Sequence, residues 1–363
     1  MKSLKRKSDK LMVELDNKKI LVTFLMHLGD LILVTPFIHA LRKAAPNAYI
    51  AMLVDDKLKD VVMFNPNLNQ VITIDKKGHD NTILALTKCA KDLSSQNFDM
   101  IINLHPNERC SFICAFTKTT FRTGISHAIF RWRWDKYIKL NRSLHAADMY
   151  LDVLKKLGIK NTDNNGLEIF PSNTNFKEAD DFWHLNNVKS DDKLIGFNIG
   201  SAVITKRWAS ERFAKVADIL AADGYKIVFF GGTMDMDMVN ESISCMRTRA
   251  IVATGSFSIG TLAAAMRRCS LIITNDSGPM HVAISQKVPI VALYGPSNPK
   301  LYGPFTKNAI IVKSNPECVG CEKGMRHTCS DLRCMKELTV EQVINACEKI
   351  LRKNEKGRQN AGV

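Results

Sequence analysis

The stretch "ILVTFLMHLGDLILVTPFIHAL", residues 20–41, joins two different hydrophobic patterns in a short span. Its first five residues form a largely apolar run that predicts a buried strand. Leu31, Val34, Ile38 and Leu41 then recur at helical spacing. A strand that passes directly into a helix is typical of parallel α/β sheets, so this stretch decides the class of fold.

Gly29 and Asp30 lie between the predicted strand and the predicted helix. Asp30 could cap the helix, a contribution of about 1 kcal/mol. Thr35 and Pro36 form a second pair of N-cap and first-turn residues, however, and favour a helix that begins there. We therefore expect residues 27–30 to form a loop at the carboxyl end of the strand, where parallel sheets bind ligands.

The alternation of short apolar strands with helical stretches occurs twice along the chain. The first series of predicted strands is Ile20–Phe24, Tyr49–Val54, Gln70–Ile74, Met100–Leu104 and Phe121–Ile125. The second series is Leu194–Asn198, Lys226–Phe230, Ile251–Ala253, Leu271–Thr274 and Ile290–Tyr294. Two such series predict an α/β protein with two doubly wound, Rossmann-like domains facing a cleft.

The composition along the chain suggests where these domains begin and end. We expect a basic N-terminal tail over 1–18, a first domain over 19–170 and a second over 194–338. The polar, turn-rich stretch 171–193 is predicted to be a linker. An amphipathic helix and a basic tail complete the chain over 339–363.

The bulk properties indicate a soluble globular protein with an anionic partner. The 363 residues carry a net charge of +15, and the mean hydropathy is -0.10. Glu14 and Asp16 interrupt the apolar region that a signal peptide needs, so we expect a cytoplasmic protein. No motif for nucleic acid binding is found. A phosphorylated substrate or an anionic membrane surface fits the charge better.

The loop "TNDSGPMH", residues 274–281, carries residues suited to phosphate. It places Asp276, Ser277 and Gly278 between a predicted strand and a helix. Unpaired backbone amides and the helix dipole favour an anion at such a helix start. A lone "DSG" also fits an ordinary N-cap and turn, so other loops must support the prediction.

Two further loops of the second series give that support. Residues 198–208, "NIGSAVITKRW", offer the Ser201 hydroxyl and the mobile charge of Lys206. Residues 229–235, "FFGGTMD", end a strand with two glycines, which suits a close-packed ribose or base. Since all three loops follow strands of one parallel sheet, they converge on one edge. The phosphates of a nucleotide are the occupant that this edge favours.

Several enzyme classes lack their motifs in this sequence. No G-x-G-x-x-G follows the first strand of either series, which disfavours a nicotinamide-dependent dehydrogenase. Neither a P-loop nor a G-x-S-x-G nucleophile motif is present. We further expect chemistry without a metal cofactor.

Taken together, these motifs resemble those of glycosyltransferase family 9, the ADP-heptose:lipopolysaccharide heptosyltransferases. The shared features are "LGDLILVTP", "TKRWASERFAKVADIL" with the following "GG", and "NDSGPMHVAISQKVPIVALYGPSNP". They span about residues 19–352. The resemblance implies the two-domain GT-B fold and transfer of heptose from ADP-heptose to the inner core of lipopolysaccharide, with inversion and without a metal. It further implies peripheral contact with the cytoplasmic face of the inner membrane.

The resemblance also implies roles for individual residues. Asp30 matches the proposed catalytic base, and Lys206 matches a lysine on the donor diphosphate. The other residues matched or assigned to the donor are Ser201, Asp276, Ser277, Gly278 and His281, with Thr233 and Asp235 as candidates for the ribose. The chemistry agrees, because inverting transfer needs a base for the acceptor hydroxyl and positive groups for the departing diphosphate.

On the acceptor side we predict Gly29, His105 and Arg122. His105 follows one predicted strand and Arg122 opens the basic, aromatic stretch 121–142. Arginines suit the carboxylates and phosphates of an inner-core acceptor. For the rest of this stretch, a solvated basic loop with Trp132 and Trp134 docked on the domain is an equal alternative.

Four cysteines near the C-terminus, Cys318, Cys321, Cys329 and Cys334, have the spacing C-x2-C-x7-C-x4-C. They could form a structural zinc site, and reduced thiols or a disulfide are the alternatives. Three alternative functions also stay open: transfer from another nucleotide-sugar, transfer to a protein acceptor, and a nucleotide-sugar-binding protein without catalysis.

Overall fold

The structure of the protein is a computed structural model that describes residues 15–314, 320–321 and 328–361. The chain divides into two compact units, Met1–Phe170 and Pro171–Val363. Each unit is built around its own six-stranded parallel sheet. The prediction of an α/β protein with two Rossmann-like domains is confirmed.

The first unit alternates strands with helices. Its strands are β1 (Lys19–Thr23), β2 (Tyr49–Asp55), β3 (Gln70–Ile74), β4 (Met100–Asn103), β5 (Phe121–Gly124) and β6 (Lys136–Tyr137). Its α-helices are α1 (Leu28–Ala44), α2 (Ile83–Ser95), α3 (Glu108–Phe116) and α4 (Ala146–Lys156). The strand order is β3-β2-β1-β4-β5-β6, and every pair is parallel. The sequence did not indicate β6, which is too short to show an alternating pattern.

The expectation that the first helix begins near Thr35 is wrong, because α1 begins at Leu28. Pro36 lies inside this helix and has no N–H to donate to the carbonyl of Ile32. The Thr35 hydroxyl donates to that carbonyl instead, at 2.7 Å. The helix therefore tolerates its proline, and Asp30 lies in its first turn rather than in a free loop.

The second unit repeats the alternation. Its strands are β7 (Leu194–Asn198), β8 (Lys226–Phe230), β9 (Ala250–Val252), β10 (Cys269–Asn275), β11 (Ile290–Leu293) and β12 (Ala309–Val312). Its α-helices are α5 (Asn173–Leu185), α6 (Ser210–Ala222), α7 (Met236–Ser244), α8 (Ile259–Met266), α9 (Gly278–Ser285), α10 (Pro299–Tyr302), α11 (Arg333–Lys336) and α12 (Val340–Ala361). The strand order is β12-β11-β10-β7-β8-β9, again parallel throughout.

The stretch 171–193 is not the loose linker that its polar composition predicted. Most of it forms α5, which starts with a capping box between Ser172 and Asn175. Trp183 of this helix is buried, and the Asn175 amide donates to the Thr261 hydroxyl on α8 at 3.0 Å. A few buried contacts and a good cap thus hold a helix whose composition is mostly polar.

The last helix packs on the second sheet as its apolar stripe predicts. Val343, Cys347 and Ile350 of α12 are buried in the same core as Trp208, whose indole N–H donates to the carbonyl of Leu338 at 3.0 Å. No helix in the described part of the chain has the length and apolarity needed to cross a membrane.

Candidate active site

Both sheets have the strand order of the Rossmann fold, in which the direction of chain progression reverses at one point. In the first unit this point lies between β1 and β4, and in the second between β7 and β10. Ligands of open parallel sheets bind at the carboxyl ends of the strands that flank such a point. The loops after these four strands are therefore where a site is expected.

In the second unit, side chains join the loops after β7 and β10. The amide of Asn198 donates to the hydroxyls of Thr274 and Ser277, at 3.0 and 2.8 Å. The amide of Asn275 donates to the carbonyl of Ile199 at 2.6 Å. These hydrogen bonds hold the two loops side by side. Neither asparagine was predicted to contribute, since Asn198 ends one predicted strand and Asn275 directly follows another.

Lys206 and Asp276 form the charged centre of this edge. The Lys206 ammonium lies 2.8 Å from the Asp276 carboxylate, and the two side chains are only 13% and 8% exposed. Lys206 ends a short 3₁₀ turn, Ile204–Lys206, that directly precedes the buried Trp208. The structure thus brings together a lysine and an aspartate that lie 70 residues apart in sequence.

Asp235 occupies a second position at the same edge and depends on glycines for its space. Its carboxylate accepts from the backbone N–H of Gly232 at 2.9 Å. A Cβ added to Gly200 would lie 2.0 Å from Asp235 Oδ1, and one added to Gly231 would lie 2.9 Å from Oδ2. Asp235 is buried and Thr233 is exposed. The loops after β7 and β8 therefore meet around one carboxylate.

The start of α9 lies directly beyond β10. Ser277 is the N-cap of this eight-residue helix, and Gly278 is its first residue. His281 and Ser201 are both buried. The Ser201 hydroxyl accepts from the N–H of Val203 at 3.3 Å. Helix start, lysine and carboxylates are thus gathered at one edge, as the three loop motifs indicated.

Tyr294 directly follows β11 and lies near Asp276. It was not predicted from the sequence. Its hydroxyl donates to the carbonyl of Tyr302 at 3.0 Å. Burial raises the pKa of this hydroxyl well above its usual value, and the neighbouring charge of Asp276 adds to the shift. Tyr294 therefore stays protonated and serves as a hydrogen-bond donor.

In the first unit, Asp30 is the third residue of α1 and Gly29 is the second. Both are half-buried. An acidic side chain in the first turn of a helix is favoured by the helix dipole. Asp30 is therefore a first-turn carboxylate whose residue is partly exposed.

His105 lies in the loop after β4, next to the loop after β1. Asn103 holds this position, since its side-chain oxygen accepts from the Thr23 hydroxyl at 2.9 Å and from the N–H of His105 at 3.1 Å. Burial, with the charges of Lys76 and His27, lowers the pKa of His105 to about 4. Within the described residues its Nδ1 is buried without a hydrogen-bond partner. A neutral imidazole with an unused nitrogen suits contact with a ligand hydroxyl.

Lys76 follows β3 and fixes the loop that leads to Asp30. Its ammonium donates to the carbonyls of Leu25 and Met26, each at 2.8 Å. It also lies 2.9 Å from the carboxylate of Asp55, and both charged side chains are largely buried. Sequence reasoning missed Lys76, because nothing in its own neighbourhood indicates a partner about 50 residues earlier.

Arg122 does not have the surroundings expected for an acceptor-binding residue. It lies inside β5, as the predicted strand Phe121–Ile125 implied, and it is buried. Its guanidinium donates to the carbonyls of Cys114, Thr117 and Arg133, at 2.6, 2.7 and 3.1 Å. Burial also lowers the pKa of Arg122. These contacts indicate a structural role, so we do not include Arg122 among the acceptor-binding residues.

The cysteine prediction falls partly outside the described residues, since Cys318 is among those not described. Cys321, Cys329 and Cys334 line one small cavity, with a volume of about 30 Å³. In the part of the chain that the structure describes, no cluster of three or more histidines, cysteines or acids could hold a metal ion.

Two Rossmann-like units, each with its polar loops at the point where strand order reverses, match the GT-B class of glycosyltransferase fold that the resemblance implied. A family model described as "Glycosyltransferase family 9 (heptosyltransferase)" matches residues 86–330. The chain belongs to this family and is a glycosyltransferase. The family resemblance and the GT-B fold expected from it are thereby confirmed.

Individual relatives agree with this assignment. A solved structure of a family 9 glycosyltransferase from Veillonella parvula DSM 2008 is 49% identical, covers 94% of this chain and 99% of its own, and superposes with a TM-score of 0.89. Lipopolysaccharide heptosyltransferase 3 of Escherichia coli K12 is 27% identical over 297 residues, which are 78% of this chain and 84% of that protein. The structure of E. coli ADP-heptose lps heptosyltransferase II is 21% identical, covers 93% of this chain and 99% of its own, and has a TM-score of 0.77.

Proposed function

We propose that this glycosyltransferase moves a heptose from ADP-heptose to the inner core of lipopolysaccharide, with inversion and without a metal cofactor. The Lys206–Asp276 pair beside the start of α9 is the observation that carries the proposal. The names of the relatives support heptose as the sugar and lipopolysaccharide as the acceptor. The reaction is proposed at the cytoplasmic face of the inner membrane.

The second unit is proposed to bind the donor. The Lys206 ammonium and the backbone amides at the start of α9 would contact the diphosphate, as the dipole of that helix favours. Asp276 would lie near the hydroxyls of the heptose, with Ser201, Ser277, Gly278 and His281 around it. Asp235, beside Gly232, would accept from the ribose hydroxyls.

The first unit is proposed to supply the base and to bind the acceptor. Asp30 takes the proton of the acceptor hydroxyl while its oxygen forms a bond to the anomeric carbon. The bond from that carbon to the diphosphate oxygen breaks, and ADP leaves with the electron pair. Positive charge at Lys206 and the helix amides stabilises this leaving group, which is the role a divalent metal plays in other transferases. Gly29 and the neutral His105 would contact the acceptor.

A transfer assay with purified protein tests the proposal. ADP-heptose and a heptose-deficient core oligosaccharide should give ADP and one product heavier by a heptose, whose anomeric configuration is opposite to that of the donor. The rate should be unchanged by a chelator. A larger rate with another ADP-sugar or with UDP-sugars would overturn the donor assignment, and retention of configuration would overturn the single displacement.

A further inference from the structure

The segment of residues 128–142, here named the basic aromatic segment, presents apolar side chains to solvent. It begins with a 3₁₀ helix, Ala128–Arg133, none of whose residues is buried. Ile129 is 62% and Trp132 is 73% exposed, and the adjacent Phe116 at the end of α3 is 49% exposed. Phe116 packs near Phe130 of the same segment, with 6.3 Å between the ring centroids, and large exposed apolar side chains gathered in one region indicate a surface that another body covers.

The segment is nevertheless firmly held. Trp134 is buried in the core of the first unit, and Phe130 packs against that core with its ring 5.9 Å from the ring of Phe112. The guanidinium of Arg133 donates to the carbonyl of Ala115 at 3.0 Å. The sequence left open whether Trp132 and Trp134 both dock on the domain. Only Trp134 does, so the exposure of Trp132 is not the result of a loose loop.

Positive charge surrounds these apolar side chains. Residues 128–142 contain five lysines and arginines and one acid, Asp135, which already accepts from the N–H of Arg122. Arg131 lies over the ring of Tyr137 at 4.1 Å and Arg133 near the ring of Trp132 at 5.3 Å. Arg131 and Arg133 are both exposed, so the surface beside these rings carries positive charge.

The charge of this surface and its exposed area indicate which kind of partner covers it. A stable dimer needs roughly 800 Å² from each partner, more than three exposed side chains provide. Two copies of the same basic surface would also repel each other. Trp and Ile next to lysines and arginines, in contrast, match the interface of a bilayer, where aromatic rings lie at the level of the headgroups and each basic residue gains about 1 kcal/mol from anionic lipids.

We infer that the basic aromatic segment docks on a membrane rich in anionic lipid headgroups, with Trp132 and Ile129 entering the interface. This inference rests on the proposed function, because a lipid-anchored acceptor gives the enzyme a reason to bind such a membrane. Ile129 and Trp132 lie between β5 and β6, on a stretch that Arg133 joins to the end of α3.

Fluorescence of the full-length protein tests the inference directly. Trp132 is exposed, whereas Trp134, Trp183 and Trp208 are at most 8% exposed, so changes in accessible tryptophan report on Trp132. Vesicles with about 40% phosphatidylglycerol should shift the emission to shorter wavelength and protect it from acrylamide. Vesicles of pure phosphatidylcholine should have little effect. An unchanged spectrum with the anionic vesicles would overturn the inference.

Sedimentation with the same vesicles compares variants. Ile129→Ala combined with Trp132→Ala should weaken binding by at least about tenfold, since both apolar side chains are lost from the interface. Leu185→Ala, at an 82% exposed apolar residue of the second unit, is the matched control and should bind like the wild type. Equal binding of the double variant and the wild type would contradict the inference.

Transfer assays separate this inference from the proposed function. The double variant should keep its rate on a water-soluble, deacylated acceptor and lose rate on the same acceptor embedded in anionic vesicles. Loss of rate on the soluble acceptor would assign the segment to the acceptor site instead and overturn membrane docking. A wild-type protein that binds anionic vesicles but transfers no heptose would overturn the proposed function and leave the docking surface in place.

Discussion

The Lys206 ammonium lies 2.8 Å from the Asp276 carboxylate at the carboxyl edge of the second sheet, and both side chains are nearly buried. Without donor, each charge is neutralised by the other. Under the proposed function, a bound diphosphate would share Lys206 with Asp276 and leave the carboxylate available to the hydroxyls of the sugar. The pair would then contact both the phosphates and the sugar of the donor.

Lys206→Ala should weaken ADP binding by about ten- to a hundredfold, because a charge-assisted hydrogen bond to phosphate contributes about 1.5–3 kcal/mol. Calorimetric titration with ADP measures this change. Lys215→Ala, at an exposed lysine of α6, is the control and should not change the affinity. Asp276→Asn should keep ADP affinity and lower the rate of transfer. Unchanged ADP affinity in Lys206→Ala would contradict the phosphate assignment.

Gly200→Ala tests the ribose side of the donor site. The new Cβ would lie 2.0 Å from Asp235 Oδ1, so the carboxylate must move. We expect at least a tenfold loss in ADP affinity. Ala222→Ser, at the exposed last residue of α6, is the control and should not change the affinity for ADP. If the two variants bind ADP equally well, Asp235 is not a donor contact.

His105 should make the stability of the protein depend on pH. Its pKa is lowered from 6.5 to about 4 in the folded state, so the unfolded state binds more protons between these values. Stability is complete above pH 6.5 and falls as the pH drops towards 4. The loss is about 2 kcal/mol at pH 5, given 1.36 kcal/mol for each pKa unit.

Urea unfolding at pH 7 and pH 5 measures that loss. His105→Gln should lose less stability between these two values than the wild type, by about the same 2 kcal/mol. His184→Gln, at an exposed histidine of α5, should unfold like the wild type at both. A pH dependence in His105→Gln equal to that of the wild type would show that the imidazole titrates normally.

Lys76 is expected to act as a positioning residue for Asp30. Lys76→Met removes the donor to the carbonyls of Leu25 and Met26 and leaves the buried Asp55 carboxylate without its ion pair. The loss should destabilise the protein by roughly 3 kcal/mol. Transfer should slow, while the KM for the donor should change little.

A second readout separates this role from general destabilisation. The charge of Lys76 lowers the pKa of His105, so an NMR titration of Lys76→Met should show that pKa raised towards its usual value. Lys77→Met, at the exposed neighbour, is the control for both measurements. A slow variant with an unchanged His105 titration would indicate that Lys76 acts through folding alone.

The sequence predicted the architecture because its signals are local. Each buried parallel strand is a short apolar run, and the loops that follow such strands must gather at one edge. That rule was enough to bring Lys206, Asp276 and Asp235 together. It required no knowledge of which strands are neighbours.

Other features depend on residues that are distant in sequence, or on one side-chain hydrogen bond that replaces a missing backbone hydrogen bond. The start of α1 was misplaced because the Thr35 hydroxyl replaces the N–H that Pro36 lacks. Arg122 suggested a ligand for its charge, yet three backbone carbonyls use its guanidinium. Lys76 contacts the loop after β1 only because β3, β2 and β1 are neighbours in the sheet. None of these can be deduced from hydrophobic periodicity.

The central claim is that Asp30 is the base of the transfer reaction. Asp30→Asn keeps the shape of the side chain and removes its ability to take a proton. A general base contributes 10²–10⁴-fold, so kcat should fall by about a thousandfold. Asp92→Asn, at an exposed aspartate of α2, should keep full activity.

The most direct measurement determines kcat of Asp30→Asn with ADP-heptose and, on the same preparation, the Kd for ADP. The account predicts the thousandfold loss in kcat with the Kd changed by less than about twofold, because the second unit binds ADP. A variant that keeps more than about one tenth of the wild-type kcat would contradict Asp30 as the base.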